Sequence, residues 1–163
     1  MNGIWLLPDL QSTQQLGEAL ARSCQWSETQ PRVAYLRGEL GAGKTTLAAA
    51  MLHAFGVLEA VRSPSYSLIE LYSVQAGQVA HIDLYRLQGA PELEQLGLRD
   101  FLDGRTLLLI EWPERGVGAL PPPDLDMQLQ TVPVRQVCIQ GCSVPGDAWL
   151  DGARRRLTTK IEN

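Results

Sequence analysis

Apolar residues along this chain recur in two rhythms, and the alternation between them outlines a fold. Leu16, Ala19, Leu20 and Cys24 fall at i, i+3, i+4 and i+8, one stripe of a helix that would pack on a sheet. Ser12-Thr13-Gln14-Gln15 reads as its capping box, with the Ser12 hydroxyl on the Gln15 N–H. Val33 to Leu36 is a short continuous apolar run, the sign of a buried strand. Thr46 to Phe55 is strongly helix-forming and is closed by Gly56. Ser67–Val74 and Gln78–Tyr85 are strand-like and separated by Gln75-Ala76-Gly77, which predicts an antiparallel hairpin. Pro91 to Leu102 reads as a short helix with proline near its start. Thr106 to Glu111 is apolar until its last residue, as expected of a central strand covered on both faces. Leu125, Met127 and Leu129, then Val137 and Ile139, alternate and predict a second antiparallel pair at one edge, followed by a helix over Asp147–Leu157. The pattern is α/β, with a mixed parallel and antiparallel sheet flanked by helices in three layers.

Composition narrows the picture without specifying it. A chain of 163 residues has single-domain length and buries about 68–70% of its unfolded surface. A net charge of −4 argues against a broad nucleic-acid footprint. Arg154-Arg155-Arg156, with Lys160, is a local exception that reads as a solvated helix end. Cys24, Cys138 and Cys142 are odd in number and match no C-x-x-C spacing, which fits free thiols in a reducing cytoplasm. The first residues, Met1 to Pro8, lack the basic region and apolar core of a signal peptide, and no apolar run is long enough to span a membrane.

Chemistry enters at Gly38-Glu39-Leu40-Gly41-Ala42-Gly43-Lys44-Thr45, which fits the phosphate-loop pattern G-x-x-x-x-G-K-[ST]. Backbone N–H groups can converge on a polyphosphate only where no Cβ intervenes, and the glycines permit that approach. The helix behind them adds unpaired first-turn donors and a positive dipole end. Lys44 brings the one full positive charge, Thr45 a hydroxyl for Mg²⁺, and Thr46 a bond to the α-phosphate. Both flanks, strand before and helix after, are the required context. Site-forming residues then run from about 10 to 115, with an edge hairpin and C-terminal helix over 124–160, in one P-loop NTPase-like domain spanning 1–163.

Hydrolysis also needs a carboxylate near the metal, at a strand's C-terminal end. Asp83 closes Val79-Ala80-His81-Ile82-Asp83 and Glu111 closes Leu107-Leu108-Leu109-Ile110-Glu111, so two acids qualify. Pattern favours Glu111 and leaves both in place. His81 reads as a strand histidine without metal-ligand partners, Trp112 as a lid, a partner contact or a packed aromatic, and Tyr66, Tyr72 and Tyr85 as sheet residues.

The loop together with Ser63-Pro-Ser-Tyr66, His81-Ile-Asp-Leu-Tyr-Arg-Leu87, Leu98-Arg-Asp100 and Glu111-Trp-Pro113, in that order, resembles the bacterial TsaE (YjeE) family from about Leu7 to Ile139. The resemblance implies a mixed-sheet P-loop ATPase, weakly active alone, that uses ATP and Mg²⁺ and works with TsaB and TsaD. Those partners attach a threonylcarbamoyl group to the tRNA adenosine beside the anticodon, so contact with tRNA is indirect. It further implies that Lys44 and the loop at Glu39, Leu40, Gly41, Ala42, Gly43, Thr45 and Thr46 bind phosphates. Thr45 and Glu111 would hold Mg²⁺, and Asp83 would be the acid important for hydrolysis, near the same metal. Thr13 matches a position near the adenine, and Arg135 is a candidate triphosphate contact. Ser65 lies in a turn near the γ-phosphate and stands where the family commonly has threonine.

Two other classes fit a phosphate loop. A small-molecule kinase would need an arginine-bearing lid and an acceptor pocket, and Arg154 to Arg156 lie at the wrong end of the chain for one. A nucleotide-dependent switch would bind and release a partner with hydrolysis incidental. GTP is disfavoured because no N-K-x-D run follows the loop.

Overall fold

A computed structural model describes residues 1–64 and 66–159; Ser65 and Lys160, both singled out above, lie outside the described residues. Seven strands form one sheet: β1 (Asn2–Leu6), β2 (Arg32–Arg37), β3 (Ile69–Val74), β4 (Gly77–Asp83), β5 (Thr106–Glu111), β6 (Leu125–Gln130) and β7 (Gln136–Gly141). Their order is β1-β7-β6-β2-β5-β4-β3. The four inner strands β6, β2, β5 and β4 run parallel, whereas β3, β7 and β1 join antiparallel. The helices are α1 (Leu10–Ser23), α2 (Lys44–Ala54), α3 (Ala90–Gln95) and α4 (Val144–Thr159).

Alternation along the central strands builds a core on each face. Ala34, Leu36, Leu107 and Leu109 join α1, α2 and α4 in one cluster. Val33, Tyr35, Leu108 and Ile110 join Leu93 of α3 and Leu98 in the other. All six residues of β5 are buried, which is why that strand reads as a continuous apolar run. The result is the three-layer α/β arrangement with a mixed sheet that the pattern predicts. Among the described residues no helix is long and apolar enough to cross a membrane.

Four details differ from the expectations. The pair β6–β7 is not an edge: β6 lies beside β2, and β1 covers β7. β1 escapes notice because its largest aliphatic residues point outward, Ile4 being 66% and Leu6 62% exposed. Asp9, not Ser12, caps α1; its carboxylate accepts the Ser12 N–H at 2.7 Å, so the helix begins one turn earlier than the proposed box. The Pro91–Leu102 helix divides at Gly97, whose φ of +68° ends α3 and starts a separate 3-10 turn over Leu98–Phe101. The hairpin turn is only Gln75-Ala76, since Gly77 already pairs with Val74.

α1 and α4 are joined by one polar contact inside the core. Trp149 is fully buried, and its indole N–H donates to the Leu20 carbonyl at 2.7 Å. That carbonyl is in the last turn of α1, where no intrahelical donor remains for it. Trp149→Phe should therefore orphan the carbonyl, costing about 1–3 kcal/mol in urea unfolding, with the smaller ring adding a cavity cost. An unchanged midpoint would show that the carbonyl is satisfied in another way.

Candidate functional site

The phosphate loop leaves β2 between an anchored arginine and a closely packed glycine. Arg37, the last strand residue, donates to both carboxylate oxygens of Asp126, at 2.8 and 3.0 Å, and reaches Glu114 at 3.3 Å. Gly38 follows at φ +136°, and a Cβ there would lie 2.6 Å from the Leu129 carbonyl. Gly43 at φ +104° starts α2 without any side-chain cap. The first-turn N–H groups of α2 are thus left facing outward for an anion.

Lys44 is only 4% exposed. Its Nζ donates to the Gly38 carbonyl at 2.7 Å and the Glu39 carbonyl at 2.8 Å, and stands 4.1 Å from the centre of the Trp112 ring. Burial lowers its pKa, an effect that the carboxylates of Glu111, Asp83 and Glu114 partly oppose. The ammonium is parked on its own loop and on an aromatic face, at hand for a ligand.

The two acids meet through sheet register. β4 and β5 are parallel neighbours with Asp83 directly opposite Glu111. Glu111 is 2% exposed and accepts from Thr45 Oγ1 at 2.8 and 3.1 Å through its two oxygens. It also accepts from His81 Nε2 at 2.8 Å. Asp83 accepts from the Ser63 hydroxyl and, at 2.9 Å, from the Tyr85 N–H. Both buried carboxylates are therefore hydrogen-bonded, as burial of a charge requires.

Leu40, Gly41, Gly43, Lys44, Thr45, Thr46, Asp83 and Glu111 line one open cleft, as the sequence reading grouped them. Glu39 and Ala42 face an adjoining depression beside Gln128–Val132. Thr13 stands outside the lining of both: it is buried in α1, with its hydroxyl 3.3 Å from the Asp9 carbonyl. Arg135 stands outside them as well, in the β6–β7 connection, where its carbonyl accepts the Leu7 N–H at 2.9 Å. Ser63, from the turn expected near the γ-phosphate, and Trp112, for which a lid was one reading, also reach the site, whereas His81 and Tyr85 were read only as strand residues. For His81 a signal existed, because it lies two positions before Asp83 and so shares its face. Trp112 takes φ +57°, uncommon for a bulky residue, and this turns its indole over Lys44 and within 5.0 Å of the Tyr85 ring.

The donor set suits a hard cation. Thr45, Glu111 and Asp83 offer oxygens only, and among the described residues no group of three or more His, Cys, Asp or Glu is arranged to hold a metal. Mg²⁺ is bound through one or two carboxylates plus substrate phosphates rather than in an all-protein cage, so these residues fit it.

The profile of the family described as threonylcarbamoyl adenosine biosynthesis protein TsaE matches residues 7–137. The chain belongs to the TsaE family. It is 41% identical to the tRNA threonylcarbamoyladenosine biosynthesis protein TsaE of Haemophilus influenzae over 120 residues, 73% of this chain and 76% of the relative. It is 38% identical to the TsaE of Aquifex aeolicus over 112 residues, 68% and 76% of the two chains. The crystal structure of Bacillus subtilus YdiB superposes with a TM-score of 0.74 and 20% identity over 95% of each chain, a likeness of fold. The TsaE match takes in the phosphate loop, Ser63, His81, both acids and Trp112, and ends before α4 begins.

The lowered Lys44 pKa carries a pH dependence. Phosphate oxygens favour the charged amine, so affinity is full below the free protein's Lys44 value and falls as pH rises above it. Inorganic triphosphate titrated calorimetrically should lose affinity at a pH below the ordinary lysine value of about 10.4. A flat profile through that range would contradict the placement of Lys44 at the anion.

Proposed function

We propose that this chain is a magnesium-dependent ATPase that supports formation of threonylcarbamoyladenosine beside the tRNA anticodon. It acts in the cytoplasm with the TsaB–TsaD complex and meets tRNA only through that complex. Family membership supports the pathway, and the Thr45–Glu111 contact at the head of α2 supports the chemistry. That contact brings a loop hydroxyl and a strand-end carboxylate together beside Lys44, the combination that metal-bound polyphosphate requires.

On nucleotide binding, Lys44 leaves the Gly38 and Glu39 carbonyls and turns to phosphate oxygens, joined by the first-turn N–H groups of α2. The Thr45 hydroxyl, which donates its hydrogen to Glu111, would offer its lone pairs to the metal, and Glu111 would hold the same ion. Held there, Mg²⁺ would supply positive charge against that developing on the phosphates. Asp83 orients the attacking water and accepts its proton, held meanwhile by Ser63 and the Tyr85 N–H. Trp112 covers the lysine and restricts water around it. A switching role is compatible with this one, because Trp112 and Ser63 tie the surrounding loops to groups that must move.

ATP turnover measured with TsaB and TsaD present tests the reading. Lys44→Ala should lower turnover by about 10²–10³-fold, the effect of losing one preorganised donor. Asp83→Asn should bind ATP and turn it over far more slowly. Full turnover by Lys44→Ala would end the proposal, and an Asp83→Asn protein that fully supports tRNA modification would favour the switch alone.

A further inference from the structure

Hydrolysis gives the most deeply buried polar side chain among the described residues, His81, no task. His81 is fully buried in β4, two residues before Asp83. Its Nε2 lies 2.8 Å from Glu111 Oε1; since a carboxylate only accepts, Nε2 carries a hydrogen and donates it. Its Nδ1 has no hydrogen-bond partner among the described residues. An imidazole satisfied at one nitrogen is poor core material, because the other nitrogen loses its water without replacement. An aliphatic residue of similar volume would fill the space at less cost. Packing alone does not account for a histidine here.

Register and alternation explain what it reaches. In the parallel pair β4–β5, His81 is opposite Leu109 and Asp83 opposite Glu111, so His81 and Glu111 are diagonal neighbours. Val79, two residues before His81, and Leu107 and Leu109, which precede Glu111 by even steps, belong to the cluster under α1 and α2. Both side chains therefore project to the face that α2 covers, one layer below Thr45. Among the described residues, the Glu111 carboxylate accepts hydrogen bonds from Thr45 and His81 alone. The Thr45 hydroxyl can donate to Glu111 while its lone pairs face a cation, so it serves two groups. His81 serves Glu111 alone.

We propose that His81 is a positioning residue: its Nε2–H fixes the Glu111 side chain so that the carboxylate stays aimed at Thr45, where the divalent cation accompanying a triphosphate binds. The proposal rests on the nucleotide reading above, and it assigns His81 no contact with substrate. It separates two quantities that a general packing defect would change together, cation affinity and metal-free nucleotide affinity.

The test uses the full chain and a non-hydrolysable ATP analogue, titrated calorimetrically in chelator and again with increasing Mg²⁺. His81→Leu removes the donor at nearly constant volume and should raise the apparent Mg²⁺ dissociation constant about 10–100-fold. Its metal-free analogue affinity should stay at the wild-type level. His81→Gln, whose amide reaches as far as Nε2, should restore most of the Mg²⁺ affinity, whereas His81→Asn, one methylene shorter, should not. If His81→Leu fails to fold, the contrast between Gln and Asn still decides the matter. Wild-type Mg²⁺ affinity in His81→Leu or in His81→Asn would overturn the proposal, as would equal losses with and without metal. A wild-type chain that binds the analogue with no Mg²⁺ dependence would instead overturn the metal-site reading, and this proposal with it.

Discussion

The hydrogen bond from Thr45 to Glu111 joins the two layers on which the site depends. Thr45 lies in the first turn of α2, Glu111 ends β5, and the two are 66 positions apart in the chain. The contact exists only because β5 is the immediate parallel neighbour of β2, the strand that feeds the phosphate loop. A one-residue slip of β5 would send Glu111 to the opposite face and leave α2 over an aliphatic side chain. With all six β5 residues buried, a slip would force both cores to repack and would strip Glu111 of its Thr45 and His81 hydrogen bonds. Core packing thereby holds the chemistry in place.

The site also stores unfavourable terms. Lys44, Asp83 and Glu111 are all nearly withdrawn from water. Each is kept tolerable by partners within the site: loop carbonyls and an indole for the lysine, hydroxyls, the Tyr85 N–H and the His81 ring for the acids. Trp112 adds a left-handed backbone conformation. Such features collect where a structure is bistable, and here they place the energetic cost on the groups that would rearrange around a polyphosphate.

Much of this was legible in the chain. The strand–loop–helix signature, the hairpin, the apolar β5 and the two strand-end acids follow from spacing, and the structure brings the acids into direct register. β1 was not legible, because a strand that turns Ile4 and Leu6 to solvent carries no inward rhythm. Gly97 looks like any glycine until its positive φ divides a helix. His81 and Trp112 are visible as residues, yet their work depends on partners at positions 111 and 44, which only the tertiary fold supplies. The cap at Asp9 was missed for a local reason: a competing Ser-Thr pair three residues on offered equally good chemistry.

The most direct measurement is a crystal structure of this chain with Mg²⁺ and a non-hydrolysable ATP analogue. The account predicts Lys44 Nζ on the phosphates and off the Gly38 and Glu39 carbonyls, with the cation between Thr45 Oγ1 and the Glu111 carboxylate. Nucleotide bound elsewhere, or a Lys44 still seated on those carbonyls beneath Trp112, would contradict it.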